Sequence, residues 1–179
     1  MIIDMLQGAW LQFVQRLNAR PLGQLVDLRS FLFGARRASL GKFRPLLREV
    51  QQGSCFYCGR GVKTGGAVDH FIPWRRYPLE LGHNFVFAHR VCNSSKSDLL
   101  AAERHLDRWA ERSHACRDEL EEGFKQLKVL YDWPATRRVA HWAYGQVHKA
   151  GGQVWVQAKE LQPLSDDWER TLGASRSAA

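Results

Sequence analysis

Two short pairs of metal-ligand residues with the same internal gap constrain this chain more than anything else in it. Cys55-Phe-Tyr-Cys58 is a CxxC followed by Gly59, and His89-Arg-Val-Cys92 is an HxxC, with residues 59–88 between them. A two-residue gap at a turn lets two side chains converge on one ion while backbone amides point at the sulfurs. Together Cys55, Cys58, His89 and Cys92 offer three sulfurs and one imidazole, a closed tetrahedral set suited to structural zinc. Such an ion would pin both ends of the enclosed segment. The competing use of a CxxC is a redox pair, which wants a helix start after a strand in an extensive sheet, and the sequence pattern lacks that sheet. Cys116 has no partner at ligand spacing and reads as a plain thiol on a predicted helix.

The chain has 179 residues, with 26 Lys and Arg against 18 Asp and Glu, a formal charge of +8. That length accommodates one ordinary domain, or a small module with helical extensions, and 45% hydrophobic content argues for a folded chain. Four cysteines are too few for a disulfide framework. Every apolar run is interrupted well short of the roughly 18 residues that a membrane span needs. No basic leader precedes the first apolar residues, so the expectation is a cytoplasmic protein without a secretory signal. Residues 1–54 carry eight basic and three acidic side chains, residues 55–100 six and three, and residues 101–179 twelve of each. The surplus lies in the first hundred residues, where it suits either a soluble basic face or a polyanion such as nucleic acid. Charge alone leaves both open.

Helical spacing is seen over Asp4–Leu17 and Leu22–Phe33, and again over Arg44–Gln52 up to Gly53. From Ser54 to about Asp98 glycines and prolines replace it, with Ala67–Ile72 the best strand. Helix is expected again from Asn93 to about Arg112, then at Cys116–Tyr131 and Ala135–Lys149 with Trp133-Pro134 separating the two. A short strand follows at Val154–Gln157, and the last dozen residues look frayed. The division expected is a basic helical lead-in at 1–53, a zinc-pinned core at 54–112 and a helical extension at 113–179.

Inside the predicted knuckle lie Asp69-His70 at the end of the strand, then Asn84, Asn93 and Lys96. Singly they read as turn, loop and cap residues. In that order within one zinc loop, CFYCG…VDHFIPW…HNFVFAHRVCNSSKSD resembles the HNH endonucleases. The resemblance covers about residues 54–98. It implies an α+β fold: a small ββα-metal core with structural zinc, flanked here by N-terminal and C-terminal helices. It further implies that Asp69 is a ligand of a catalytic divalent metal and His70 the general base. Asn84 then fixes the hairpin and orients the base, and Asn93 is the second metal ligand. The sequence departs from the usual pattern at HxxC in place of a second CxxC, and at Asn93 in place of the last histidine. His83 lacks the preceding Asp that would make it the base.

These residue types suit phosphodiester hydrolysis. A hard ion such as Mg²⁺ or Mn²⁺ on one carboxylate and one amide oxygen keeps positions open for water and phosphate. A neutral imidazole can take a proton from water, a contribution of about 10²–10⁴-fold. Lys96, Arg75, Arg76 and Arg90 could reach phosphates or form a solvated rim, and Trp74 could stack on a base or pack on the hairpin. DNA is the expected substrate and RNA an alternative. A non-catalytic zinc module that only binds nucleic acid is the rival reading, and a protein partner that directs cleavage fits the flanking helices.

Overall fold

The glycines and prolines of residues 54–84 shape a long-looped hairpin, and the helices on either side exist to cover it. The computed structural model describes residues 40–77 and 80–173. The helices expected at Asp4–Leu17 and Leu22–Phe33 lie outside the described residues, as does the C-terminal tail.

A 3₁₀ turn at Leu40–Phe43 leads into α1, Arg44–Val50, with Pro45 in its first turn, where a missing amide costs nothing. Strands β1, Ala67–His70, and β2, Phe85–Ala88, pair antiparallel with Ala67 opposite Ala88 and His70 opposite Phe85. Every residue of β2 is buried. Such a strand must be covered on both faces, which its unbroken Phe-Val-Phe-Ala run reflects. On one side α1 packs against it, and Phe43 meets Phe85 with ring centroids 4.6 Å apart. Gly66 enters β1 at φ +85°, and a Cβ there would lie 2.4 Å from the Phe87 ring. No other residue fits that approach.

Helix α2, Arg90–Lys96, follows β2 directly and packs on β1. The sequence suggests that helix continues to about Arg112, but it stops at Ser97, which takes φ 50°. Residues 100–102 instead run extended beside a later strand: the Trp155 amide donates to Leu100 O and the Ala102 amide to Trp155 O, both at 2.8 Å. Helix α3 then spans Glu103–Ala115. Helical spacing could not reveal this break, because the backbone partners of residues 100–102 lie more than fifty residues away.

Helix α3 organises the core. Trp109 is fully buried and stacks on Phe71 at 5.0 Å, a pairing worth about 0.5–1.5 kcal/mol beyond its area. Arg108 donates to Phe56 O and Tyr57 O in the knuckle, and Arg112 to His83 O and Phe85 O at the start of β2. Arg104 donates to Val156 O. Spaced by four, these arginines form one stripe that ties three separate segments to one helix.

Helix α4 spans Arg117–Gln126, shorter than the expected Cys116–Tyr131. Helix α5, Trp133–Lys149, begins at Trp133-Pro134, which the sequence pattern places between helices. Asp132 caps it by accepting from the Ala135 amide at 2.7 Å, so the proline sits in the first turn. Strand β3, Gln153–Gln157, pairs with β4, Glu160–Pro163, a partner the sequence did not disclose, and α6 follows at Trp168–Gly173. The C-terminal part is therefore not wholly helical, and β3 packs back on α2. All described residues belong to one compact unit.

Candidate metal centre and catalytic cluster

The knuckle turn is closed by backbone. The Gly59 amide donates to Cys55 O, the Cys55 amide to Arg60 O, and Gly59 takes φ +72°, open to glycine without strain. Ser54 and Gly61 form an isolated bridge at its base. Across from it, His89 leads into α2, and its amide points at Cys55 Sγ at 3.3 Å. The ligand atoms of Cys55, Cys58, His89 and Cys92 all lie within 4.8 Å of one another. His89 Nδ1 is 3.3 Å from Cys58 Sγ, and its Nε2 is 3.3 Å from Gly61 O. A carbonyl at Nε2 holds the tautomer that leaves Nδ1 free for a metal.

These four residues can hold one ion, and three sulfurs with one nitrogen fit zinc. Their electrostatics agree. Burial raises the Cys58 thiol, but the Arg60 amide and side chain, with Cys55 and His89, outweigh it and bring it down to about 6. Cys92 is pushed up to about 12 by burial and then by Cys55 and Cys58. Crowded sulfurs cannot all ionise unaided, and a divalent cation supplies the missing charge. Cys116 lies outside this cluster, at the junction of α3 and α4.

The second group of residues gathers around the end of β1. Asn84 accepts from the Ile72 amide at 2.7 Å and donates to Ile72 O at 3.0 Å. One side chain thus satisfies both polar groups of a buried residue two positions after His70, closing the hairpin beyond the Asn84 O to Phe71 N bond. Asp69 is 5% exposed, and its Oδ2 accepts from Tyr57 Oη at 2.6 Å and lies 3.1 Å from Lys96 Nζ. His70 is 1% exposed, with Phe85 and the half-buried Trp74 each 5.2 Å away, centroid to centroid. Trp74 therefore packs on the hairpin. Asn93 stands half-buried in α2, one turn before Lys96, its backbone N–H donating to His89 O.

Lys96 is where the structure departs from expectation. A lysine positioned for a phosphate should be exposed, and this one is fully buried, paired with Asp69 and donating to His70 O at 3.1 Å. It lies on the face of α2 that packs on β1, so its stem has nowhere to go but inward. Burial lowers its affinity for the proton, and Asp69 works the other way. Of the other basic candidates, Arg75 is exposed and paired with Asp98 at 3.1 Å, Arg76 is half-buried, and Arg90 is exposed at the start of α2. His83 is fully buried against Phe124 and Trp133, and burial drops it to about 4.

Sequence reasoning missed Tyr57, Arg108 and Gln51. Gln51 closes the base of the knuckle by donating to Ser54 O and Phe87 O and accepting from the Phe87 amide. For Tyr57 there was a signal, since it sits between two ligands. For Gln51 and Arg108 the partners are distant in sequence. Comparison with family models, with curated proteins and with solved structures finds no match. No helix among the described residues is long and apolar enough to cross a membrane.

Proposed function

We propose that the chain is a metal-dependent endonuclease of the HNH type that hydrolyses DNA phosphodiester bonds. The observation that carries this reading is the two-way hydrogen bond of Asn84 to Ile72. It is the role that the HNH resemblance gives the middle asparagine, and here it fixes the hairpin end that bears Asp69 and His70. The order strand, strand, helix with a Cys₃His cluster at its base is a further support.

In this reading Asp69, whose Oδ2 is already held by Tyr57 and Lys96 and whose other oxygen would be the ligand, and the amide oxygen of Asn93 would hold Mg²⁺ or Mn²⁺, donors that suit a hard cation. When bound, that ion supplies positive charge where the phosphate gathers negative charge. His70 accepts the proton of the attacking water. Its backbone is held by Lys96, which donates to His70 O, and by the Asn84 closure. A base must reach water, and His70 is 1% exposed, so the reading requires its ring to become accessible when substrate enters. The knuckle is scaffold and takes no part in the reaction.

Supercoiled plasmid incubated with Mg²⁺ or Mn²⁺ tests it. Wild type should nick the plasmid, and His70→Ala should lose roughly 10²–10⁴-fold in rate. Equal nicking by both proteins removes His70 from the chemistry, and binding without nicking by either leaves a nucleic-acid-binding module. Labelled RNA offered in competition with DNA separates the two substrates.

A further inference from the structure

The sequence holds equal numbers of basic and acidic residues over 101–179, and on α3 the fold sorts four of them by face. On α3, Glu103 turns towards the segment after β4, accepting from Gln162, the Ser165 amide and the Ser165 hydroxyl. Asp107 turns the same way and accepts from Thr171 on α6. Arg104 and Arg108, one position on from each, turn to β3 and the knuckle. Between them lies a cleft of about 580 Å³ bounded by the knuckle, α2, α3 and the end of β3.

Its walls include Arg60, Arg104 and Arg108, with Val91, Trp155 and Ala158 as apolar surface, and no carboxylate is among the described residues that line it. The two α3 guanidinium groups are already fixed, Arg104 by Val156 O at 2.8 Å and Arg108 by Phe56 O at 2.6 Å. An arginine held by a carbonyl through part of its fork has lost most of the freedom that binding would otherwise cost, while its remaining N–H groups can meet an anion. Val91 is 75% exposed on the rim.

We propose that this cleft is a second nucleic-acid contact, built by the C-terminal part of the chain, in which Arg60, Arg104 and Arg108 hold consecutive phosphates of a strand beside the knuckle. Two guanidinium groups held by carbonyls, with the exposed Arg60 beside them and no carboxylate in a lining that also takes in Cys58 and Cys92, match a polyanion. The site lies on the knuckle side of α2 and uses none of the residues assigned to hydrolysis. That the anion is DNA rests on the nuclease reading; the existence of the anion site does not.

The test adds charge without removing any hydrogen bond. Val91→Glu with Ala158→Glu places two carboxylates in the cleft, and Lys125→Ala with Lys149→Ala makes the same change in net charge at exposed positions that do not line it. Fluorescence anisotropy of a short labelled duplex, with no added Mg²⁺ or Mn²⁺, reads binding whether or not the chain cuts. The cleft variant should bind about tenfold more weakly than the lysine variant, since like charges set against phosphates are strongly disfavoured. Its plot of log affinity against log salt should be shallower by up to about 0.9 for each phosphate that the cleft no longer neutralises. Circular dichroism and zinc content equal to wild type establish that the variant is folded, and an Arg60→Gln variant should shift the slope in the same direction. Equal affinity of the two double variants would overturn the proposal. So would an acidic peptide that displaces the duplex as well as unlabelled DNA of equal charge.

Discussion

Tyr57 Oη donates to Asp69 Oδ2 at 2.6 Å, and this joins the inside of the Cys₃His cluster to the carboxylate at the end of β1. Tyr57 stands between the ligands Cys55 and Cys58, so an ion that sets the knuckle turn also sets the tyrosine. The tyrosine is buried against Phe56 and Trp155, and burial, then Asp69, raises its hydroxyl well above the ordinary range. It stays a donor. Tyr57→Phe keeps the ring and removes the bond. The expected cost is about 1.5–3 kcal/mol of stability, the range for a hydrogen bond to a charged group, read from urea denaturation. Zinc content should be unchanged, and plasmid nicking should slow.

Breaking the Lys96–Asp69 pair should cost more. Both partners are buried, so Lys96→Met strands a carboxylate and should destabilise by about 3–5 kcal/mol. Lys96→Met combined with Asp69→Asn removes the stranded charge and should regain part of that loss. If the double variant is no more stable than the single one, the pair does not account for the effect.

Asn84→Ala deprives two buried backbone groups of their partner. The expected loss is about 2–4 kcal/mol. Asn84→Asp can still accept from the Ile72 amide but has no N–H for Ile72 O, so chemical denaturation should place it between wild type and Asn84→Ala.

The two metal roles separate by mutation. Cys58→Ser should lose bound zinc and unfold the hairpin, because the knuckle closes the segment from Cys55 to Cys92. Asn93→Ala, which leaves the Lys96–Asp69 pair in place, should keep its zinc and lose nicking. Full zinc occupancy in Cys58→Ser, measured by elemental analysis, would refute the ligand set.

Acid should destabilise the fold through two buried histidines. His83 and His105 are each lowered to about 4, first by burial, then for His83 by Arg112 and Arg117 against Asp132. For His105 the Val156 carbonyl opposes burial, while Arg104, Arg108 and Lys96 add to it. Unfolded, each binds its proton near pH 6.5, so the unfolded state takes up more protons in between. Stability is fully present above about pH 6.5 and falls as pH drops to about 4. Urea midpoints across that window should decline, and less steeply in His83→Phe.

The local parts of this fold were readable because their causes are local. Pro45 and Gly53 bound α1 at nearly the expected places, and the equal gaps of CxxC and HxxC brought four ligand atoms within 4.8 Å. The strand expected at Ala67–Ile72 appears as Ala67–His70, and Phe71 adds one more bond across the hairpin. The break after Lys96 was not readable, since its reason is pairing with Trp155. Trp133-Pro134 read as a separator because proline both ends and starts helices, and only Asp132 accepting from Ala135 decides which.

The sequence by itself determined the metal cluster, the placement of Asp69-His70 at the end of a strand and the surplus of positive charge, all properties of spacing and count. Tertiary structure alone decided the direction of the charges. Lys96 turned inward because the face of α2 that bears it packs on β1. Arg104 turned to β3 and Arg108 to the knuckle, while Glu103 and Asp107 turned to the segments beyond β3. A helix sets each residue about 100° round from the last, so neighbours in sequence face different partners, and only packing says which partner each one meets.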